Sequence, residues 1–348
     1  MKLLTVLGTR PQYVKAFPVC RELDGIDHVL IDTGQHYDET LSGVFREELD
    51  IPVDYDLDVG SGSHGEQTAT MLAEIESVIE AEEPDTVLVY GDTNSTLAAA
   101  LATAKLPPTL AHVEAGTRSY NRSMPEELNR VMVDHVSDLL FAPTDTAVRN
   151  LGNEGITEGV VNTGDVMYDA LLLAREYAGD RGVFEELPVD PGEYLLATVH
   201  RPRNTDDSER LRTIVSALAD ASLPVLFPAH PRVRNRLSEL GVDLGASIHP
   251  IEPVGYLDFV ALLDGAERVV TDSGGVQKEA FMLATPCVTL REDTEWDETV
   301  ERGWNRLVGA DGPAIAEALD AEYERADGPP LFGDGTAARA IVAALERG

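Results

Sequence analysis

Short apolar runs recur along the chain, and stretches with helical spacing separate most of them. In the first half the runs cover residues 3–7, 28–31, 86–90, 108–113, 139–141 and 159–161. In the second they cover residues 194–199, 224–227, 247–251, 268–270, 286–290 and 306–308. Continuous apolar runs without alternation fit strands buried on both faces, as in parallel sheets. Two such series predict an α/β chain of two Rossmann-like, doubly wound halves. The boundary is expected near residues 166–190, where an acidic helix-like segment is followed by Gly179, Gly182, Pro188, Pro191 and Gly192. This places an N-terminal domain over residues 1–168 and a C-terminal domain over 169–334. The tail, 335–348, reads as a helix packing back on the first domain.

The polar residues gather where these runs end. Residues 3–7 lead into Gly8-Thr9-Arg10-Pro11, and 28–31 into Asp32-Thr33-Gly34-Gln35-His36. Residues 86–90 lead into Gly91-Asp92-Thr93, and 194–199 into His200-Arg201. Residues 224–227 precede His230, and 268–270 precede Asp272-Ser273-Gly274-Gly275. Open α/β sheets bind ligands outside the carboxyl ends of their strands. Two sheets with polar ends turned toward each other predict an active-site cleft between domains.

The densest chemistry lies in residues 112–130, which set Glu114, Glu126 and Glu127 among Arg118, Arg122 and Arg130. Pro125 suits the first position of a helix. Glu126 then falls in the first turn, with Arg130 four residues on along the same face. A salt-bridged surface helix is the competing account. It fits Glu127 best, and fails for Glu114 at a strand end. Ser273 and the two glycines after it would offer backbone N–H groups to a phosphate at a helix start, with Glu279 one to two turns on for ribose hydroxyls. The same turn also reads as an ordinary helix cap. Arg10 and Lys15 flank another strand-to-helix turn and could hold a diphosphate. His200 beside Arg201 suits phosphate contact or acid–base help. Asp92, Glu114 and Glu126 beside these anion-binding groups suit proton transfer at a nucleotide-linked sugar. The first strand is followed by no Gly-x-Gly-x-x-Gly, and no Gly-Lys-Ser/Thr loop occurs, so NAD chemistry and ATP hydrolysis are poorly supported.

Charge narrows the partners. The chain carries 62 Asp plus Glu against 27 Lys plus Arg, a net of −35. That argues against duplex nucleic acid and anionic membranes. It also implies self-repulsion at low salt, and we read it as adaptation of a cytoplasmic protein to high intracellular salt. Cys20 and Cys287 stand far apart in no metal-like spacing, so buried thiols are expected and no metal site. No signal peptide and no apolar span of about 20 residues is evident, which predicts a soluble protein.

With these motifs in view, the chain resembles the non-hydrolysing UDP-N-acetylglucosamine 2-epimerases over nearly its whole length. The likeness rests on Gly8-Thr9-Arg10-Pro11, Thr33-Gly34-Gln35-His36, Gly91-Asp92-Thr93, His112-Val113-Glu114-Ala115-Gly116, residues 125–130, Thr163-Gly164-Asp165, His200-Arg201 and residues 272–280. It implies a two-domain GT-B fold and interconversion of UDP-N-acetylglucosamine and UDP-N-acetylmannosamine with no cofactor. The implied route eliminates UDP to a 2-acetamidoglucal and adds it back with C2 protonated on the other face. By this resemblance Asp92, Glu114 and Glu126 are the acid–base groups, their ring faces unassigned. Arg10, Lys15, Arg130 and His200 steady the diphosphate, Ser273 and Gly274 bind phosphate, and Glu279 binds ribose. Gln35, His36, Gln67 and His230 match a second, activating UDP-N-acetylglucosamine site, although Glu66 stands where an arginine is usual. Gln12 and the segment Thr294-Glu295-Trp296-Asp297-Glu298-Thr299 instead resemble the subgroup acting on UDP-2,3-diacetamido-2,3-dideoxyglucuronate. A hydrolysing epimerase releasing N-acetylmannosamine and UDP is a further alternative, and a nucleotide-sugar-binding regulator is the non-catalytic one. A homodimer is the default for such enzymes.

Overall fold

In the computed structural model, which describes residues 1–35, 51–179, 182–324 and 330–347, the apolar runs form two parallel sheets. The first contains β1 (Lys2–Leu7), β2 (Asp27–Asp32), β3 (Tyr55–Asp56), β4 (Thr86–Tyr90), β5 (Thr109–Val113), β6 (Leu139–Ala142) and β7 (Val160–Asn162). Their order is β3-β2-β1-β4-β5-β6-β7, with Leu3 opposite Thr86 and Tyr90 opposite Val113. The second contains β8 (Leu195–Thr198), β9 (Val225–Pro228), β10 (Ile248–Ile251), β11 (Arg268–Thr271), β12 (Cys287–Thr289) and β13 (Asn305–Leu307). Its order is β10-β9-β8-β11-β12-β13. Helices alternate with the strands along both halves, giving two Rossmann-like layers of sheet and helix.

The strand ends differ from the expected ones by a residue or two. Proline has no N–H to give a ladder, and β5 begins at Thr109 after Pro108. The edge strand β3 went unforeseen because two residues carry no periodicity. Every residue of β4 is buried, as a central strand covered on both faces requires.

The chain forms two compact units, Met1–Ala170 with Pro330–Gly348, and Leu171–Pro329. The first unit buries Met71, Ile75 and Ile79 of the His64–Glu82 helix against Val6, Val87 and Val89. The second buries Ile214 and Leu218 of the Ser208–Ala219 helix against Val225, Phe227 and Val270. The Ala337–Leu345 helix rejoins the first unit on the Arg10–Arg21 helix. Its first turn is held by Asp169, whose carboxylate accepts from Ala338 N at 2.9 Å and Ala337 N at 3.2 Å. Burial pushes the thiols of both Cys287 and Cys20 up to about 12, although Cys20 keeps part of its surface exposed. No described helix is long and apolar enough to cross a membrane.

Each sheet has one point where strand order reverses, between β1 and β4 in the first and between β8 and β11 in the second. Ligands of this fold class bind at such points. The turns that follow these four strands hold Arg10, Asp92, His200 and Ser273.

Candidate active site

In the first unit Gln12 ties the two turns at the reversal together. Its Oε1 accepts from Gly8 N at 2.9 Å, Thr9 N at 3.1 Å and Thr9 Oγ1 at 3.2 Å. Its Nε2 donates to Tyr90 O at 2.8 Å, Thr96 Oγ1 at 3.0 Å and Thr93 Oγ1 at 3.1 Å. An amide suits this place because it both accepts and donates; a carboxylate would meet the Tyr90 carbonyl with no proton to share. Gly91 follows β4 with φ +64°, and a Cβ there would lie 3.3 Å from Glu114 Oε2 and 3.4 Å from Lys15 Nζ. Glycine therefore serves both the turn and the approach of these two side chains.

Two ion pairs stand at these strand ends. Lys15 Nζ holds Glu114 Oε2, and Arg130 Nη2 holds Asp92 Oδ2. All four side chains are largely covered, with 14 to 29% of their surface exposed. Arg130 also reaches Glu127 at 3.2 Å, three residues back, and not the expected Glu126, which is exposed on the first turn of the Pro125–Val136 helix. Glu114 itself has φ +74°, left-handed backbone that costs a side-chain-bearing residue about 1–3 kcal/mol. Its N–H and that of Ala115 both donate to Phe141 O at 3.1 Å, which fixes this turn.

Glu127, given no chemical part by the sequence, shapes the loop ahead of the helix. It accepts from Ser119 N and Ser119 Oγ at 2.9 Å and from Tyr120 N at 2.8 Å. Burial works to raise this carboxyl; the Ser119 and Tyr120 donors and Arg130 outweigh burial and hold it below its ordinary 4.5.

In the second unit the organising residue is Asp272, wholly buried after β11. It accepts from His200 N at 3.1 Å, Arg201 N at 3.0 Å and Asn204 Nδ2 at 3.0 Å, and its Oδ1 meets His200 Nδ1 at 3.0 Å. Burial again raises the carboxyl, and the His200 ring with the other donors overcomes it, leaving Asp272 below its ordinary 3.8. The His200 side chain stays 56% exposed, so one edge of an oriented ring faces solvent. Ser273 caps the Gly274–Leu283 helix through Val276 N at 3.4 Å. The segment after β12 closes on this helix start. Trp296 Nε1 donates to Gly274 O at 2.9 Å, and a Cβ on Gly274 would lie 3.1 Å from Glu295 Oε2. Arg291 grips Glu295 with two bonds of 2.9 Å, and the Lys278 ammonium lies 4.9 Å from the Trp296 ring centre. Glu279 is buried one turn and a half into the helix.

Of the four residues expected at an activating site, Gln35 and Gln67 meet in the first unit, where Gln67 Nε2 donates to Gln35 O at 3.2 Å. Gln35 Oε1 accepts from Ser95 N at 2.9 Å and Ser95 Oγ at 2.7 Å. Gln67 donates to Gly60 O at 2.7 Å and accepts from Asn94 Nδ2 at 3.1 Å. Both glutamines are 9% exposed, and their amides knit helices to loops inside the first unit. His230 belongs to the second unit, where it caps the Pro231–Glu239 helix by accepting from Arg232 N at 3.3 Å. His36 lies outside the described residues. Glu66 completes a capping box with Ser63, accepting from Ser63 Oγ at 2.8 Å, which is a helix-start duty an arginine could not perform.

Sequence reasoning found the carboxylates and cations at strand ends. It did not foresee how Asp272, Glu127 and Gln12 are bonded, since most of their partners are backbone groups or lie far along the chain, and it gave no part to Arg291, which grips Glu295 four residues on.

Residues 19–346 match the family model described as UDP-N-acetylglucosamine 2-epimerase. A protein of Methanococcus maripaludis named "UDP-N-acetylglucosamine 2-epimerase homolog" is 47% identical over 99% of both chains. A "UDP-2,3-diacetamido-2,3-dideoxy-D-glucuronate 2-epimerase" of Pseudomonas aeruginosa is 46% identical over the whole of both. The structure of Methanocaldococcus jannaschii UDP-GlcNAc 2-epimerase in complex with UDP-GlcNAc and UDP covers all of both chains with a TM-score of 0.85 and 44% identity. Family match, full-length identity and shared architecture agree, and the chain belongs to the UDP-N-acetylglucosamine 2-epimerase family, an isomerase family of nucleotide sugars.

Proposed function

We propose that this enzyme interconverts UDP-N-acetylglucosamine and UDP-N-acetylmannosamine by eliminating UDP and adding it back through a 2-acetamidoglucal. The observation that carries the reading is the full-length likeness to a structure holding UDP-GlcNAc and UDP. The ion pairs of the first unit support it chemically. The C2 proton is not adjacent to a carbonyl, so its removal must be coupled to departure of the diphosphate. A site for that step needs bases beside cations, and Glu114 with Lys15 and Asp92 with Arg130 supply both. An arriving diphosphate competes for Lys15, Arg130 and Arg10, and so frees Glu114 and Asp92 to move protons. Glu126, already exposed, is the third acid–base group. His200, oriented by Asp272, offers its ring to the diphosphate as charge builds on it. The Ser273-Gly274 helix start takes phosphate, and Glu279 the ribose.

The Pseudomonas aeruginosa relative favours a second reading, in which the sugar is UDP-2,3-diacetamido-2,3-dideoxyglucuronate. The chain is further read as a cytoplasmic enzyme working at high salt, on its net charge of −35. A homodimer is proposed on the exposed apolar row Met124, Leu128 and Met132, one helical turn apart, with Tyr120 beside it.

Purified protein at molar salt is incubated with each nucleotide sugar in deuterated water and followed by proton NMR. Epimer formation with deuterium at C2 and UDP retained is expected. Turnover without C2 deuterium overturns the elimination route, free N-acetylmannosamine overturns the non-hydrolysing outcome, and turnover of the diacetamido-uronate alone selects the second reading.

A further inference from the structure

A buried polar chain runs behind the first-unit ion pairs and has no part in the chemistry assigned so far. His112, wholly buried in β5, meets Asp134 Oδ1 through Nδ1 at 2.7 Å and Gly91 O through Nε2 at 2.8 Å. A peptide oxygen can only accept, so Nε2 donates to Gly91 O. Asp134 Oδ2 accepts from Arg118 Nη1 at 2.7 Å and Gly116 N at 3.0 Å. Arg118 is in turn held by Glu154, with bonds of 2.7 and 2.8 Å. These are the charged groups facing the ring: Asp134 directly, and Arg118 and Glu154 behind it.

The placement of the ring matters more than its burial. It lies two residues before Glu114, on the strand that leads into the Glu114 turn. Its Nε2 holds the peptide oxygen of Gly91, the residue before Asp92. Gly91 N donates to Val113 O at 3.0 Å, and the carbonyl of Asp92 accepts from Asn129 Nδ2 at 2.9 Å. Its Nδ1 holds Asp134, one turn after Arg130 on the Pro125–Val136 helix. A single imidazole therefore joins the strand that leads to Glu114, the turn of Asp92 and the helix of Arg130.

We propose that His112 is a positioning residue for the Asp92–Arg130 pair, acting through its bond to the Gly91 carbonyl and its bond to Asp134. It touches no reacting atom. Releasing the Gly91 peptide lets a left-handed glycine turn rotate, and displacement of a reacting group by about 1 Å is enough to cost about 10²-fold in rate. The inference rests on the epimerase reading above.

Two substitutions separate the bonds of the ring. Asparagine at 112 can still donate near the position of Nδ1, toward Asp134, and cannot reach Gly91 O. Glutamine can reach the position of Nε2 and leaves Asp134. Both variants and the wild type are assayed for kcat, KM and C2 deuterium exchange, with melting temperature measured on the same samples. The expected result is a kcat lowered about 10²-fold in His112→Asn with KM changed less than threefold, and a kcat in His112→Gln at least tenfold above it. Equal kcat in wild type and His112→Asn overturns the proposal, as does a loss confined to melting temperature. An inactive wild type instead overturns the epimerase reading. Nitrogen NMR of ring-labelled wild-type protein is independent of activity and of variant folding. A proton on Nε2 of His112 supports the arrangement, and a bare Nε2 overturns it.

Discussion

Glu114 sets backbone comfort against chemistry. A left-handed φ of +74° favours glycine, yet the chain places a carboxylate there, beside Lys15, and the proposed reaction uses it. Removing the carboxylate while keeping a Cβ leaves the strain in place; removing both relieves it. Glu114→Ala and Glu114→Gly should therefore both lose turnover, with the glycine variant the more stable by about 1 kcal/mol in chemical denaturation. The reverse order of stability would mean that the turn carries no strain. That Glu114 and Asp92 stand in polar turns at strand ends was legible in the sequence, because each follows an apolar run. Their partners were not, since Lys15 lies 99 residues from Glu114 and Arg130 lies 38 from Asp92. The helical spacing that pointed Arg130 toward Glu126 is a local rule, and the contact across the β4 turn overrode it.

Single side chains also fasten whole elements together. Asp272 binds the turn after β8, the Pro202–Thr205 turn and the start of the Gly274–Leu283 helix to one buried carboxylate. Its proton affinity is lowered in the folded state, so its contribution to stability is present above the ordinary value of 3.8 and is lost as pH falls through the lower folded value. Melting of the wild type between pH 6 and pH 2.5 should show that loss at the acid end. Asp272→Asn should be less stable at neutral pH by about 1–3 kcal/mol, with a flatter acid limb. An unchanged limb would sink this account of the acid response. At this scale the starts of the Gly274–Leu283 and Pro125–Val136 helices were readable from Ser273 at the cap of one and Pro125 at the first position of the other, whereas β3 was not, being only two residues long. The Trp296 segment resisted prediction for another reason. Its place against Gly274 depends on Arg291 bringing Glu295 across, and no periodic pattern encodes that.

Across the whole molecule, charge and chain path dominate. With a net of −35, repulsion acts over about 10 Å at 0.1 M salt and about 3 Å at 1 M. Melting temperature should rise as potassium chloride goes from 0.1 to 2 M, and a flat or falling curve would remove the case for adaptation to salt. The alternation of strand and helix, and so the doubly wound halves, was legible from the apolar runs alone. The path of the chain has a temporal consequence. The Ala337–Leu345 helix, with Ile341, Val342 and Leu345 buried, packs on the Arg10–Arg21 helix, and Asp169 waits to cap it. Residues 1–170 therefore leave the ribosome first and are completed last, after residues 171–329 have been made. Throughout translation of the middle of the chain the part of the first helix on which the last helix packs has no cover. A nascent chain cut short before residue 330 leaves that surface open, a natural handle for the cell's quality-control machinery.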